Sequence, residues 1–419
     1  MRILHVLHNS VPLLCGYSIR SGYIVDLERA MGLDTRVVTS GQHPNGEAMR
    51  ETIAGTEYRR TAAPGNRRLP FAKEWALMSS LERQVEDAAR DFRPDVIHAH
   101  SPVLVGLPSL RVARRLRIPM VYEIRDLWEN ASVDRGRFAA GSPLYKIARG
   151  LESYVIRNAG AVVTIGDLLR RAIAPRALSP DKVHVIANGV DTDAFRPQDS
   201  SEPLERRWGL LDKEVILYAG TFQPYEGLDL LIHAMADIVR ERPRAHLVIV
   251  GGSAGFAGGA GAVSREEGAL LSAVQESGVA SHVTFTGRIP HADVKAMYAL
   301  ADVLCYPRRM TLTTALTTPL KPLEGMAMAK PVIASDVPAL CELVSDGVTG
   351  IVFKAGDARD LARKCIALLS DTVLQQRLGA AGRDWVVRER QWPSLVAQYS
   401  HVYSTLFDQP LRRAEKIPA

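Results

Sequence analysis

The chain has 419 residues, 47% hydrophobic and 23% charged, an ordinary globular mixture long enough to bury two cores and too long for one typical domain. It contains no run of about 18 apolar residues, which excludes a membrane-spanning helix, and its net charge of +6 with a pI near 9.1 suits anionic nucleotides or lipids without naming either. Cys15, Cys305, Cys341 and Cys365 show no C-x-x-C spacing, so reduced thiols in a cytoplasmic setting are expected rather than a disulfide frame or zinc site, and no repeat or RNA-binding signature suggests nucleic acid as a partner.

Residues 2–8 (RILHVLH) are a short apolar run suited to a buried parallel strand. His and Asn interrupt the apolar N-terminus, which therefore reads as this strand and not as a signal peptide. A loop follows at 9–17 with Pro12 and Gly16, and then a helix at 18–31 with Ile19, Tyr23, Leu27 and Ala30 on one side. Strand, glycine-bearing loop and helix start make the phosphate-approach geometry of nucleotide folds, but no full G-x-G-x-x-G is present and Gly16 equally suits a plain turn. Residues 35–39 (TRVVT) read as the next strand, and 40–73, rich in Gly, Pro, Arg and Thr, as a long irregular surface segment of the kind that is often functional.

An amphipathic helix is expected at 71–92, then a strand at 95–100 (DVIHAH). His98 and His100 share one face of that strand at its C-terminal end, where ligands of open α/β sheets gather. They are acceptor-side candidates, or else buried hydrogen-bonded histidines. The helix at 104–116 brings Arg111, Arg114 and Arg115 together with Arg117, either a solvated face or a contact with anionic lipid headgroups. The strand at 119–124 (PMVYEI) holds Glu123, a third acceptor-side candidate, and runs straight into Arg125, Asp126, Leu127, Trp128 and Glu129. Charge directly after a buried strand is costly unless used or paired, so Arg125 and Asp126 are site candidates, or Arg125 pairs with Asp126 or Glu129. Strands follow at 159–165 and 183–186. Asp191-Thr192-Asp193 matches a metal-holding D-x-D spacing but reads as a turn and cap. The polar stretch 197–203 (PQDSSEP) is a linker, dividing a first domain at 1–197 from a second at 198–390.

The second half opens with a strand at 214–220, a loop bracketed by Gly220 and Gly227, and an amphipathic helix to 239. A strand at 246–250 enters Gly251-Gly252 and a glycine-rich segment at 253–264 that reads as a flexible surface loop. Further strands at 282–286, 303–306 and 350–353 alternate with helices, so both halves are doubly wound α/β. Trp392-Pro393 breaks the chain. The remainder, 391–419, reads as a last helix at 394–407, carrying Leu395, Tyr399, Val402 and Leu406, that packs back on the first domain, and a tail that frays from 409.

The stretch 319–336 (PLKPLEGMAMAKPVIASD) organises this half. Lys321 and Glu324 stand three apart, on one face of a helix beginning near Pro319 or Pro322, where proline suits the first turn. A helix N-terminus, a lysine and a hydroxyl-accepting carboxylate together suit a nucleotide diphosphate and its ribose. The same residues also suit an ordinary helix with an exposed Lys/Glu pair.

Six segments carry a resemblance over nearly the whole chain: 95–102, 162–171, 183–195, 216–234, 282–307 and 319–353. They resemble the retaining family 4 glycosyltransferases of GT-B fold, in which two Rossmann-like domains face across a cleft. SVPLLCGYSIRS, YEIRDLWE, YEGLD and PLKPLE look like the branch that builds bacterial exopolysaccharides and lipid-linked surface glycans, including the exosortase-associated enzymes. The resemblance implies transfer of a sugar from a nucleotide diphosphate sugar, a UDP-sugar favoured, to a glycan or lipid-linked acceptor at the inner face of the plasma membrane, without a metal or other cofactor. It implies donor contacts from Gly16, Tyr17, Gly220, Thr221, Arg288 and Leu323, with Glu324 on the ribose hydroxyls. The family's upstream glutamate is replaced by Leu316, and its usual diphosphate arginine and lysine by Thr221 and Glu226. Lys321 is expected to replace the missing charge, aided by Arg20, Arg125 or Arg308, while Arg125 and Asp126 position sugar or acceptor. The competing readings are a non-catalytic nucleotide-sugar or glycolipid-binding partner and a sugar-nucleotide epimerase, whose acid/base carboxylates find no place here.

Overall fold

The computed structural model describes residues 1–13, 15–41, 49–62, 72–252 and 263–407, leaving aside the side chains of 291 and 292. The glycine-rich segment 253–262 and the tail beyond 407 lie outside the described residues. The chain divides into two compact units, Met1–Ala187 with Pro393–Ala419, and Asn188–Trp392. Among the described residues no helix is long and apolar enough to cross a membrane.

The first unit is built on eight strands: β1 (Arg2–Leu7), β2 (Asp34–Thr39), β3 (Arg50–Ile53), β4 (Thr56–Arg60), β5 (Val96–His100), β6 (Met120–Ile124), β7 (Ala161–Thr164) and β8 (Val183–Val185). Their order is β3-β4-β2-β1-β5-β6-β7-β8, all parallel except the β3–β4 hairpin. The continuous apolar runs read from the sequence become the central strands, buried on both faces because helices cross on either side. The hairpin corrects the reading of 40–73 as irregular throughout. Ala54 and Gly55 turn it with φ of 48° and 80°, and alanine in the first of these left-handed positions hides the usual Asn-Gly signal.

The second unit has six parallel strands: β9 (Glu214–Ala219), β10 (Ala245–Val250), β11 (Val283–Gly287), β12 (Val303–Tyr306), β13 (Val332–Ser335) and β14 (Ile351–Phe353), in the order β11-β10-β9-β12-β13-β14. In both sheets the chain reverses its winding beside the first strand, so a crevice opens at the C-terminal ends of β1 and β5, and of β9 and β12.

The last segment forms two short helices, Trp392–Ala397 and Tyr399–Ser404, where one was expected. The second delivers fully buried Tyr399 and Tyr403 to the polar interior of the first unit. Three arginines of helix Val103–Leu116 are engaged by neighbouring helices. Arg111 and Arg115 pair with Glu82, Arg115 also with Glu86, and Arg114 bonds Tyr154 and Asn158. Those partners sit on other helices, where sequence spacing does not reveal them.

Helix Pro143–Asn158 carries one carboxylate, Glu152, fully buried and accepting from the Tyr122 hydroxyl at 2.6 Å. Burial, and then the charge of Glu129, pushes Glu152 up to about 8. The unfolded group titrates near 4.5, so the unfolded chain sheds this proton first and stability falls as pH rises from about 4.5 through 8. Glu152→Gln keeps a carbonyl for Tyr122 and removes that dependence. The variant is expected to be more stable than the parent at pH 8 by about 2–4 kcal/mol and to lose this advantage at pH 4.5, read by thermal melts across that range.

Candidate functional site

In the second unit the chemistry gathers at the ends of β9 and β12. β9 passes into Gly220-Thr221, a 3-10 turn at Pro224–Glu226, and Gly227, whose φ of 70° ends that turn before helix Leu228–Glu241. A Cβ at Gly227 would stand 2.1 Å from the Pro307 carbonyl oxygen, so this approach of the β12 loop to the turn requires glycine. The Arg309 amide donates to the Tyr225 carbonyl at 2.8 Å and ties the two loops together. Glu226, 2% exposed, is thereby fixed facing Arg308 and Lys321. Its carboxylate accepts from Arg308 Nη2 at 3.0 Å and Nε at 3.2 Å, and Lys321 Nζ lies 3.1 Å from Oε1.

Lys321 opens the short helix Lys321–Ala327 and reaches back across the sheet end, over Gly220. A Cβ at Gly220 would meet its Nζ at 2.3 Å, so the absent side chain makes the room the ammonium occupies. Nζ also donates to the Tyr218 hydroxyl at 2.6 Å, which in turn donates to the Thr221 carbonyl at 3.0 Å. Burial would raise the Glu226 carboxyl, but Lys321 and Arg308 outweigh it and hold the group at about 2. Burial lowers the Lys321 ammonium, with Glu226 opposing. Arg308 spends its remaining Nη1 on the Thr317 carbonyl. Its side chain is 10% exposed and that of Lys321 20%, so Lys321 is the cation with an open side.

Glu324, one turn on, accepts from the Tyr298 hydroxyl at 2.9 Å, which fixes one carboxylate oxygen. Thr221 and Arg288 are exposed at the ends of β9 and β11. Leu323, expected at the donor, is fully buried in the core with its side chain. The helix has seven residues, so the positive charge here comes from Lys321 more than from a helix dipole. Asp191 accepts from the amides of Asp193 and Ala194, a local cap. A cavity of about 520 Å³ at the ends of β13 and β14, lined by Asp336, Cys341, Asp346 and Lys354 among others, includes neither Lys321 nor Glu324.

In the first unit the charged residues expected to meet donor or acceptor face inward. Glu123, fully buried, accepts from Arg20 Nε at 3.0 Å, Arg125 Nε at 2.8 Å and the Tyr399 hydroxyl. Burial alone would raise its carboxyl, and Arg20, Arg125 and His100 together hold it well below the usual range. Arg20 gives its other donors to the carbonyls of Ala187 and Ile186 and to Tyr399. Arg125 reaches the Tyr17 carbonyl at 2.5 Å and His100 Nδ1 at 2.7 Å, and stacks over the Tyr17 ring. Its partner is thus Glu123, not Asp126 or Glu129; Glu129 pairs with Arg176.

Arginine can only donate, so His100 accepts at Nδ1 and donates from Nε2 to His5 Nδ1 at 3.2 Å, and His5 donates to Glu28 at 2.8 Å. His98 meets the Tyr403 hydroxyl at 2.8 Å. One ring nitrogen from each of His5, His98 and His100 lies within 4.8 Å of the others, a metal-like grouping whose nitrogens are largely used in these bonds. Burial lowers His98 and His100, which favours neutral rings. Arg20, His98, His100, Glu123 and Arg125 therefore form a buried, mutually bonded polar core. Gly16, exposed at the first turn of helix Gly16–Ala30, and half-buried Tyr17 and Asp126 lie on its outer side. Burial raises the Asp126 carboxyl against the pull of Arg135 and Arg125.

Sequence reasoning missed His5, Glu28 and the two tyrosine hydroxyls. A histidine inside an otherwise apolar strand and a glutamate on an inward helix face were the available signals. It also treated Glu226 only as a missing cation.

Two family models cover most of the chain: the glycosyl transferase 4-like domain over residues 16–189 and the glycosyl transferases group 1 over 201–385. A GDP-mannose-dependent alpha-(1-6)-phosphatidylinositol monomannoside mannosyltransferase of Mycobacterium tuberculosis is 30% identical over 351 residues, spanning 78% of this chain and 87% of the relative. A D-inositol 3-phosphate glycosyltransferase of Frankia alni is 27% identical over 400 residues, 91% of this chain and 94% of the relative. Among solved structures, sucrose-phosphate synthase from Thermosynechococcus elongatus aligns with a TM-score of 0.78 at 22% identity, over 97% of this chain and 99% of that one. The Anabaena protein Alr3699/HepE in complex with UDP gives 0.75 at 17% identity, over 97% and 100%.

Glu226→Gln would leave Arg308 and Lys321 side by side without their counter-charge. The expected loss is about 3 kcal/mol, since breaking a buried pair strands the remaining charge. Lys321→Met in the same background should recover part of it, because the two changes act on one pair. Urea unfolding of the two single variants and the double variant measures both effects.

Proposed function

We infer the activity from a plain premise: the chain belongs to the group 1 glycosyl transferases, with a glycosyl transferase 4-like N-terminal domain, and it is a hexosyltransferase-type enzyme of GT-B fold. We propose that it moves a hexose from a nucleoside diphosphate sugar to a lipid-linked glycan acceptor, with retained configuration, in surface glycan synthesis at the cytoplasmic face of the membrane. The observation that supports this most is the ammonium of Lys321, held over Gly220 at the ends of β9 and β12 by Glu226 and Tyr218. A cation with one open side at a switch-point crevice suits the charge that grows on a departing diphosphate, the main electrostatic task of such a reaction.

Glu324, steadied by Tyr298, is positioned to accept from ribose hydroxyls, and the exposed Arg288 suits the base. Gly16, Tyr17 and Asp126 are the first unit's remaining candidates toward sugar and acceptor. In this reading the leaving phosphate oxygen takes the acceptor proton, so no protein base is needed, and Lys321 carries the role that a metal ion plays in other transferases. The M. tuberculosis relative, named for GDP-mannose and an inositol lipid, puts GDP-mannose beside the UDP-sugars as donor and supports a lipid acceptor.

Lys321→Ala is expected to lower donor turnover at least about tenfold, in line with a charge-assisted hydrogen bond of about 1.5–3 kcal/mol. Glu324→Gln should act chiefly on donor KM, and a chelator should leave turnover unchanged. The assay follows release of UDP and GDP across a panel of nucleotide sugars, with thermal shifts reporting donor binding separately. A Lys321→Ala loss smaller than tenfold would remove the lysine from its role. Donor binding without product from any acceptor would favour a non-catalytic binding partner, a reading that Leu316 keeps open by replacing an acidic residue.

A further inference from the structure

His8 is the first residue beyond β1, at the crevice of the first unit. Both of its backbone groups are held. Its amide donates to the Tyr17 hydroxyl at 3.0 Å, and its carbonyl accepts from Ser40 Oγ at 2.9 Å. Further along the loop, Arg60 at the end of β4 reaches Ser10 Oγ at 2.9 Å and the Val11 carbonyl at 3.1 Å. The half-buried ring meets the Tyr17 ring edge-on, with centroids 6.4 Å apart. The hairpin that places Arg60 thus helps to fix the loop that carries His8. A side chain fixed in this way loses little further freedom when it binds a ligand.

The neighbours assign the ring proton. Ser40 Oγ gives its one proton to the His8 carbonyl, so at its 3.5 Å contact with Nδ1 the hydroxyl accepts, and the imidazole proton sits on Nδ1. Nε2 is then a bare lone pair. It has no partner among the described residues, and unlike His98 Nε2, which is sealed, it reaches the surface. Burial, and then the charge of Arg135, lowers His8 to about 4, so the ring is neutral near pH 7. His5 and His100 spend both ring nitrogens inside the polar core. A bare ring nitrogen accepts and does not donate, so a phosphate or carboxylate finds no donor there. The charge of Arg135 opposes an ammonium. What remains is a neutral donor such as a sugar hydroxyl. We propose that His8 is an acceptor-reading residue, whose Nε2 accepts a hydrogen bond from a non-reacting hydroxyl of the sugar acceptor held by the first unit. The reacting hydroxyl is not its partner, because that proton passes to the leaving phosphate oxygen. The proposal rests on the transferase reading and adds to it a residue that selects and orients the acceptor.

The test uses the full chain with octyl glucoside, octyl mannoside and their monodeoxy analogues as acceptors. In nitrogen NMR near neutral pH, His8 is expected to carry its proton on Nδ1, and its Nε2 resonance to move when one of the glycosides is added. His8→Phe keeps a ring against Tyr17 and removes the nitrogen. It should raise the acceptor KM about fivefold or more, in line with one lost hydrogen bond. Diphosphate release without acceptor and thermal shifts with nucleotide sugars should stay unchanged. His8→Gln, whose side-chain carbonyl accepts in place of Nε2, should restore most of the loss. One monodeoxy glycoside should be a poorer acceptor for the parent chain and lose nothing further in the His8→Phe variant, because both changes delete the same bond. A proton on Nε2, an Nε2 resonance that none of the glycosides moves, or an unchanged acceptor KM in His8→Phe would overturn the proposal. So would a loss that His8→Gln fails to restore, or one that extends equally to donor binding. A parent chain that releases no diphosphate from any UDP- or GDP-sugar would sink the transferase reading, and the glycoside titration of His8 would still decide this one.

Discussion

The second unit depends on one carboxylate shared by two cations. Glu226 can sit nearly excluded from water only because Arg308 and Lys321 bind it from two sides. At a separation of 3.1 Å and an effective dielectric near 20, the attraction to Lys321 is about 5 kcal/mol before desolvation is counted. Burial of both charges takes back much of that, so the cluster is less a source of stability than a fixed geometry. Three loops converge on it: the turn after β9, the loop after β12 and the start of helix Lys321–Ala327. The close approach of Gly227 to Pro307 and the Arg309–Tyr225 hydrogen bond hold the first two together. Lys321 is then aimed by its partners and not left to wander as a surface lysine would, and a pre-positioned charge needs little reorganisation when negative charge develops beside it.

The first unit solves a similar problem with a different result. Glu123 at the end of β6 is also shared by two guanidinium groups, Arg20 and Arg125, but Tyr399 closes the remaining side. The chain's return to this unit has a chemical reason as well as an apolar one. Tyr399 and Tyr403 supply hydroxyls to Glu123, Glu28 and His98, groups that would otherwise be buried with unmet polar atoms. The consequence is a cross-linked platform beneath the first helical turn that carries Gly16 and Tyr17, reached directly by the Arg125–Tyr17 bond.

The architecture was legible because parallel strands buried on both faces are apolar runs, and runs such as ILYAG and HLVIV are short and bounded by glycine, which favours strand over buried helix. The hairpin at 50–60 was not, since Ala54 occupies a left-handed position that sequence patterns assign to Asn or Gly. Lys321 was legible as a cation needing a purpose. Its partner was hidden 95 residues earlier, and Glu226 read as a departure from the expected lysine. The partners of Arg111 and Arg115 were hidden for the same reason: Glu82 and Glu86 sit on a separate helix, and periodicity within one element says nothing about the charge on its neighbour. The His98–His100 pair was placed on the right face of the right strand, but burial under Tyr399 and Tyr403 depends on a segment some 300 residues away. Local pattern reveals which side chains share a face; only packing reveals which face is covered.

Glu226 and Lys321 are better understood as one unit. A lysine at 226, with Lys321 and Arg308 already present, would crowd three cations against the same sheet end with no anion among them. A glutamate at 226 without Lys321 would leave a buried carboxylate answered by Arg308 alone and repelling any diphosphate nearby. With both residues present the net charge of the trio is one positive unit, the same as a single well-placed lysine. That unit of charge stands on the helix after β12, where Gly220 leaves space for it. Tyr218 fixes its direction, since the hydroxyl that accepts from Nζ is itself committed to the Thr221 carbonyl. The sheet order β9-β12 is what puts positions 226 and 321 within reach of each other, so the ammonium stands at the switch point with its direction already fixed.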